Sequence, residues 1–435
     1  MRNISKLPKT LVLLLLMLCV FGVLVTAQTQ VKLLWQKCLG GSSDDFARCV
    51  QQTKDGGYIV VGFTYSAQGD VSVNHGESDI WIVKLDADGN IQWQRSLGGS
   101  SYDEAYSVQQ TVDESYIIAG YAFSNDGDVS GKHGSWDAWI VKLDKDGNIQ
   151  WQRCFGGSSD DRAYNLQQTN DGGYILVGEA SSNDGDVSGN HGVNDGWVVK
   201  IDANGAIQWQ KCVGGSDFEA ISHVQQTADG GYALAGYTTS RDGDVKGNHG
   251  RKDAWIVRLD QSGKIEWQKC LGGSDWDEAY NIRQTKDGGY VVAGYTQSKN
   301  GDVTKNQGDY DYWVVKLDKT GKIEWQRSLG GSARDAAMGI QQTTDGGCLV
   351  AGYTQSNNGD VSGNHGQADI WLVKLSENGN IEWQKCFGGS YEDKAYSVQQ
   401  IAGGYILVGQ TKSNDGDVKA NHGSSDFWVL KLGYE

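Results

Sequence analysis

The sequence is nearly free of proline: one residue in 435, Pro8. It has no CxxC pair, and its eight cysteines fall to an odd seven once Cys19 is set aside with the N-terminal segment. This excludes both a paired disulfide framework and a zinc site of the usual spacing. No stretch sustains a 3.6-residue apolar period, which excludes a helical solenoid. Positive charge is in deficit, with a formal net charge of −16, so nucleic acid and anionic membrane surfaces are poor partners. Only one long apolar run exists, the fifteen residues Leu11–Val25, short of the about 20 that a membrane span needs. Preceded by Arg2, Lys6 and Lys9 and followed by Val25-Thr26-Ala27, it predicts a signal peptide over residues 1–27. Leu18, bulky before Cys19, argues against a lipoprotein site. The expected mature chain, from Gln28, is secreted or placed in the periplasm or on the cell surface. Gly433-Tyr434-Glu435 follow Leu432 with no sorting segment.

What the chain has in abundance is glycine (61), tryptophan (16) and tyrosine (20), against only 38% hydrophobic residues. These residues repeat. A Trp recurs at 35, 93, 151, 209, 267, 325 and 383, a constant step of 58 residues, and such a period signals a repeat array. In the second unit, Ala105–Thr111 alternates as a strand does. DGG turns (Asp55-Gly56-Gly57, Asp171-Gly172-Gly173) supply hairpin geometry. YIIAGYA is apolar throughout, hence buried on both faces. Its recurrent glycine (Gly62, Gly120, Gly178 and equivalents) implies close approach of a neighbouring backbone or ring. AWIVKLD, a second hairpin (Asp144–Asn148) and IQWQRCF complete four strands.

Seven units of four antiparallel strands predict an all-β fold, a seven-bladed β-propeller, as a single domain over residues 28–435. The first WQ strand (Lys32–Leu39) is left to pair beside Phe427–Leu432 and close the ring, which removes two exposed sheet edges. Five cysteines (Cys38, Cys154, Cys212, Cys270, Cys386) share one repeat position with Ser96 and Ser328 and are expected, with Cys49 and Cys348, to be free buried thiols.

The repeat D-x-W-x-V-K-L-D-x-x-G-x-x-x-W, then GG, D-x-A and DGGY-x-x-x-G, resembles the exported bacterial and archaeal propeller repeats of about 60 residues. The WxVKLD…G…W segment is similar to pyrroloquinoline-quinone-type propeller repeats. The resemblance implies the propeller architecture over the whole mature chain. It implies no quinone chemistry, because the adjacent-Cys pair and acidic constellation of those enzymes are missing.

Strand order places the GGSSYD corners and the long SNDGDVSGKHGSWD loops on one face, and that face is expected to carry any site. The residue ten after each Trp is acidic (Asp45, Asp103, Asp161, Glu219, Asp277, Asp335, Asp393). This ring of carboxylates either forms a cation site or electronegative funnel at the axis, or caps backbone N–H groups of its own corner. In the loops, Asp126, Asp128, Ser130 and Asp137, repeated as Asp184, Asp186, Ser188 and Asp195, follow calcium-loop spacing with Gly131 and Gly189 at the turn. Calcium is therefore a candidate ligand, the alternative being internal Asx hydrogen bonds. Lys246, Lys419, Gln68, Val73, Lys305 and Ala420 break the pattern elsewhere. Six histidines (His75, His133, His191, His249, His365, His422) share one loop position and are expected to stabilise the turn.

Residues that depart from the repeat are the binding candidates: Tyr102, Phe218, Trp276 and Tyr391 at the corners, Trp136 and Tyr310 on the loops, with Phe46 and Tyr312 beside them. Aromatics on an acidic face suit sugar rings or a protein anchor. The leading expectation is an exported, non-catalytic, monomeric propeller that binds a glycan or protein through its long-loop face. A polysaccharide-acting hydrolase or lyase using Asp160/Asp161 or Asp277/Glu278, and a calcium-stabilised structural surface protein, are the competing readings.

Overall fold

The computed structural model describes residues 31–434. The expected signal peptide, residues 1–27 with Ala27 at its end, lies outside the described residues. Twenty-eight strands, numbered β1 to β28 in chain order, form seven four-stranded antiparallel sheets arranged as the blades of a propeller. Blade 1 is β2 (Asp45–Gln52), β3 (Tyr58–Thr64), β4 (Asp79–Leu85) and β5 (Ile91–Leu97), and five further blades repeat it. Blade 7 takes its fourth strand from the other end of the described chain. There β1 (Val31–Leu39) pairs antiparallel with β28 (Asp426–Tyr434), Cys38 opposite Trp428 and Leu39 opposite Phe427. The ring closes as the strand count anticipates. Among the described residues no helix is long and apolar enough to cross a membrane.

The second and third strands of each blade are buried on both faces, as YIVVGFT and DIWIVKL illustrate. The apolar side chains form seven clusters, one in each cleft between neighbouring blades. The first joins Ile59, Val61 and Ile82 of blade 1 to Tyr116, Ile118 and Trp139 of blade 2. Most of the third-strand tryptophans are wholly buried and give the indole N–H to a glutamine of the fourth strand, as Trp81 does to Gln94 (2.9 Å). Tyr312, expected beside the loop candidates, is such a core residue: it is fully buried and donates its hydroxyl to the Trp371 carbonyl at 2.8 Å. The seven described cysteines are free thiols.

Each innermost strand carries a β-bulge at one place, in blade 1 between Ala47 and Cys49. A bulge leaves the extra residue unpaired and bends its strand. Arg48 and Cys49 therefore both line the axis instead of alternating. The QQT motif that follows stitches the inner ring. In six of the seven units the first glutamine accepts a backbone N–H from the next blade, Gln51 from Gln110, Gln109 from Gln168, and so on at 2.5–2.6 Å. The second reaches the other way, as Gln110 does to the Lys54 N–H (2.9 Å). Edge donors facing the axis are thereby satisfied by side chains.

Candidate functional site

The acidic position at the start of each inner strand is resolved by burial. Asp45 is fully buried, and its Oδ2 accepts the Gly41 N–H (2.8 Å) and the Ser66 hydroxyl (3.0 Å) while Oδ1 takes the Thr64 hydroxyl. Asp103, Asp161, Glu219, Asp277, Asp335 and Asp393 do the same at their corners. They are caps, the second of the two alternatives, and not an electronegative axial funnel: hydrogen bonding turns them into the corner, away from the axis. The Asp of each D-x-W motif is buried beside them. Asp79 Oδ2 accepts both the backbone N–H and Nδ1 of His75 (3.0 and 2.6 Å), which is the turn role expected of the loop histidines.

Burial pushes the carboxyls of Asp45, Asp311 and Asp369 up to about 6, and raises Asp79, Asp103, Asp161, Asp253, Asp277, Asp335, Asp393 and Asp426 in the same direction. At the opposite hairpins burial also opposes ionisation, but hydrogen bonds outweigh it. Lys84 and Thr53 hold Asp55 at about 2, and Lys142 with Thr111 does the same for Asp113. A raised folded pKa means that the unfolded chain ionises first, so stability falls as pH rises from the ordinary carboxylate value toward 6. The hairpin carboxylates contribute stability above their unfolded pKa, and it is lost only as pH falls toward 2. His223, held neutral by burial, opposes the corner aspartates below its ordinary pKa, but it is one group against many. The melting temperature is therefore expected to be higher at pH 5 than at pH 7.5, with a decline toward pH 2. A scanning-calorimetry series that is flat or falls between pH 7.5 and 5 contradicts this.

The loop oxygens with calcium spacing are engaged one by one. Asp126 Oδ1 accepts the Ser100 N–H (2.7 Å), Asp128 Oδ2 the Gly98 N–H (3.3 Å), Ser130 Oγ the Gln152 amide, and Asp137 Oδ2 the His133 N–H (2.7 Å). In the next blade Asp184, Asp186, Ser188 and Asp195 have the corresponding partners Ser158, Gly156, Gln210 and His191. Among the described residues no three His, Cys, Asp or Glu side chains converge as a metal-holding group. The carboxylate pairs considered for catalysis diverge as well, because strand neighbours point to opposite faces. Asp161 and Asp277 are buried caps, while Asp160 pairs with Arg162 (3.1 Å) and Glu278 with Lys252 (2.6 Å).

The aromatic candidates occupy the rim of the long-loop face. There the corner of one blade bridges the loop of its neighbour, Tyr102 beside Ser78, Phe218 beside Asn194, Trp276 beside Lys252. Tyr102 and Trp136 meet at 6.4 Å between ring centroids, and Trp136 also packs on Tyr121 at 5.1 Å under the Arg162 guanidinium. Lys252 lies over Trp276 (4.9 Å), and Tyr310 packs on Tyr295 (4.8 Å). Phe218 and Tyr391 stand exposed at 45% and 56%. The structure brings Tyr102 and Trp136 together and distributes the others round the rim.

Below the rim is a feature that was not singled out from the sequence. At the long-loop end of the axis lies a cavity of about 340 Å³, and toward the hairpin end a second of about 230 Å³ lined by the glutamine ring. Cys49, Asn165, His223, Arg283 and Ser397 belong to the walls of both and form the waist between them. The upper cavity is walled by the bulge position of each inner strand, including Tyr106, Tyr164, Tyr280 and Tyr396, with Arg48, Ser222 and Met338 in the other three blades. Burial raises the Tyr106, Tyr164 and Tyr280 phenols, which stay neutral. Two of the hydroxyls meet carboxylates: Tyr106 donates to Glu104 (2.8 Å) and Tyr164 to Glu179 of the wall (2.8 Å). Arg48 lies over the Tyr396 ring at 4.3 Å. The signal available in the sequence was variation: the two bulge positions change from blade to blade while Ala47 and Gln52 recur almost unchanged. So did the one charge inside QQT, Arg283.

No family model matches the chain. A curated protein, the regulatory protein FlaEY of Caulobacter vibrioides, is 25% identical over 219 residues, 44% of this chain. The chain spans 22% of that protein's length. Among solved structures, BamB of Moraxella catarrhalis is similar at 15% identity and TM-score 0.42, over 93% of this chain and 100% of that one. The Pan2 WD40 domain of Neurospora crassa is similar at 11% and 0.49, over 91% and 95%. These are likenesses of fold; the seven blades rest on the strand pairing described above.

Proposed function

We propose that the chain is a non-catalytic binding module that takes the end of a glycan into the axial cavity from the long-loop face. The observation that carries this is the set of tyrosines, Tyr106, Tyr164, Tyr280 and Tyr396, at one register position around a cavity of about 340 Å³. That volume lies at the low end of the roughly 300–1,000 Å³ of small-ligand sites, so it suits one inserted residue better than a protein surface. Flat rings with an apolar face and a polar edge suit a sugar, and Tyr102, Trp136, Trp276 and Tyr310 on the rim would hold the following residues.

A glycan array with the exported form of the protein, followed by calorimetric titration of the strongest glycan, tests this. Tyr280→Ala is expected to weaken binding at least about tenfold, about 1.4 kcal/mol, and Trp276→Ala severalfold. Equal affinities in wild type and both variants, or binding confined to protein ligands, would overturn the proposal.

A further inference from the structure

The waist of the channel holds a cation that the wall does not neutralise. Arg283 stands where six of the seven inner strands place the first glutamine of QQT. A guanidinium has no acceptor, so it cannot take the neighbouring N–H that glutamine takes, and the stitch is given up in this blade. Its hydrogen-bond partners are His223 Nε2 at 2.5 Å and the Ile282 carbonyl at 3.5 Å. The carboxylates about the cavity are engaged elsewhere, Glu179 with Arg162 (2.9 Å), Glu278 with Lys252 (2.6 Å) and Glu104 with the Tyr106 and Tyr121 hydroxyls. Among the described residues no carboxylate forms an ion pair with Arg283. Burial lowers its pKa to about 10, which leaves it charged at neutral pH.

His223 adds a second donor. It is 5% exposed, and burial together with Arg283 holds its pKa well below the ordinary imidazole value. A neutral ring that accepts at Nε2 carries its proton on Nδ1, and Nδ1 is buried without a partner. Asn281, equivalent to His223 in the adjoining blade, leaves its Oδ1 unpartnered in the same cavity wall, a position that a flip of the amide would give to its NH₂. An orphaned buried donor is destabilising until it finds an acceptor, so an unpaired cation with an unpaired imidazole N–H beside it is complementary to an anion.

Resting on the glycan reading above, we propose that the sugar held in the axial cavity carries a carboxylate, gripped by Arg283 with His223 Nδ1–H as second donor: an acidic sugar of the hexuronate type. The planar fork of a guanidinium matches a carboxylate, and the tyrosine ring above receives the sugar face.

The test is calorimetric titration of the wild type and the Arg283→Gln and His223→Asn variants with matched neutral and uronic oligosaccharides, glucose-based and glucuronate-based. Arg283→Gln is the informative change, because glutamine is the residue of the other units and can accept the Gln342 N–H. It is expected to melt as wild type does. Wild type is expected to prefer the uronic ligand at least tenfold. Arg283→Gln should lose 10- to 100-fold in uronate affinity and much less in neutral affinity, and His223→Asn should lose less of the uronate affinity. Neutral binding with no uronate preference, or a preference that survives Arg283→Gln, overturns the carboxylate site and leaves the glycan reading standing. Failure of both sugars overturns both. A free-carboxylate tetrapeptide that binds through Arg283 when both sugars fail overturns the sugar and keeps only the anion pocket.

Discussion

A chain that starts at Gly40 instead of Gln28 is expected to aggregate or to melt far below the longer form. β1 is the outer strand of blade 7, and its loss strips β28 of its partner from Phe427 to Tyr434. Val31, Cys38 and Leu39 are buried in the cores shared with blades 6 and 1, and each such side chain contributes roughly 1.5–3 kcal/mol. With the strand's ladder added, the loss is on the order of 5 kcal/mol or more, comparable with the whole stability of an ordinary domain. An exposed hydrophobic edge also invites pairing with another copy. Size-exclusion chromatography and melting of the two forms check this, and a peptide of residues 31–39 added in excess should restore part of the loss. A monomer with an unchanged melting temperature would show that the ring does not depend on this strand.

Gly178→Ala is expected to destabilise by about 3 kcal/mol or more, at the upper end for an overpacked interior. A Cβ built there meets the Arg162 carbonyl oxygen at 1.8 Å. That oxygen belongs to backbone, just before the bulge that bends the inner strand between Ala163 and Asn165, so it cannot swing aside. Gly172→Ala is the control. Its φ of +86° makes alanine unfavourable by about 1–2 kcal/mol, but no atom lies within 4 Å of the added methyl. At roughly 2 °C per kcal/mol for a chain of this size, the first variant should melt about 6 °C or more below wild type and the second about 2–4 °C. Equal shifts would mean that the recurrent glycine serves only backbone freedom and not the close approach.

The same comparison shows how far the sequence can be read. The recurrent glycine of YIVVGFT is legible as a point of close approach, but the atom it approaches is set by a bulge that leaves no mark in a period-two pattern. Repetition also identified the corner aspartates, and it could not separate a cap from an axial ligand, since both require the same residue in every blade. Burial separates them. Tyr312 departs from the repeat as visibly as Tyr102 does, yet one fills the core and the other the rim, because strand position and not singularity decides which way a side chain faces.

The 58-residue step, the alternation of apolar and polar residues and the turn glycines determine by themselves that this chain makes seven four-stranded blades and closes them with its first WQ strand. Those features are local in the sequence and recur in nearly every unit, so their consequence follows from counting. The axial cavity is of another kind. Its walls take one to three residues from each of seven inner strands 58 positions apart, and a bulge in every inner strand turns them inward. Arg283 and His223, 60 positions apart in the chain and 2.5 Å apart between neighbouring inner strands, become a pair only when one blade packs beside the next. Only the tertiary structure could decide that, because proximity about an axis is a property of the whole circle.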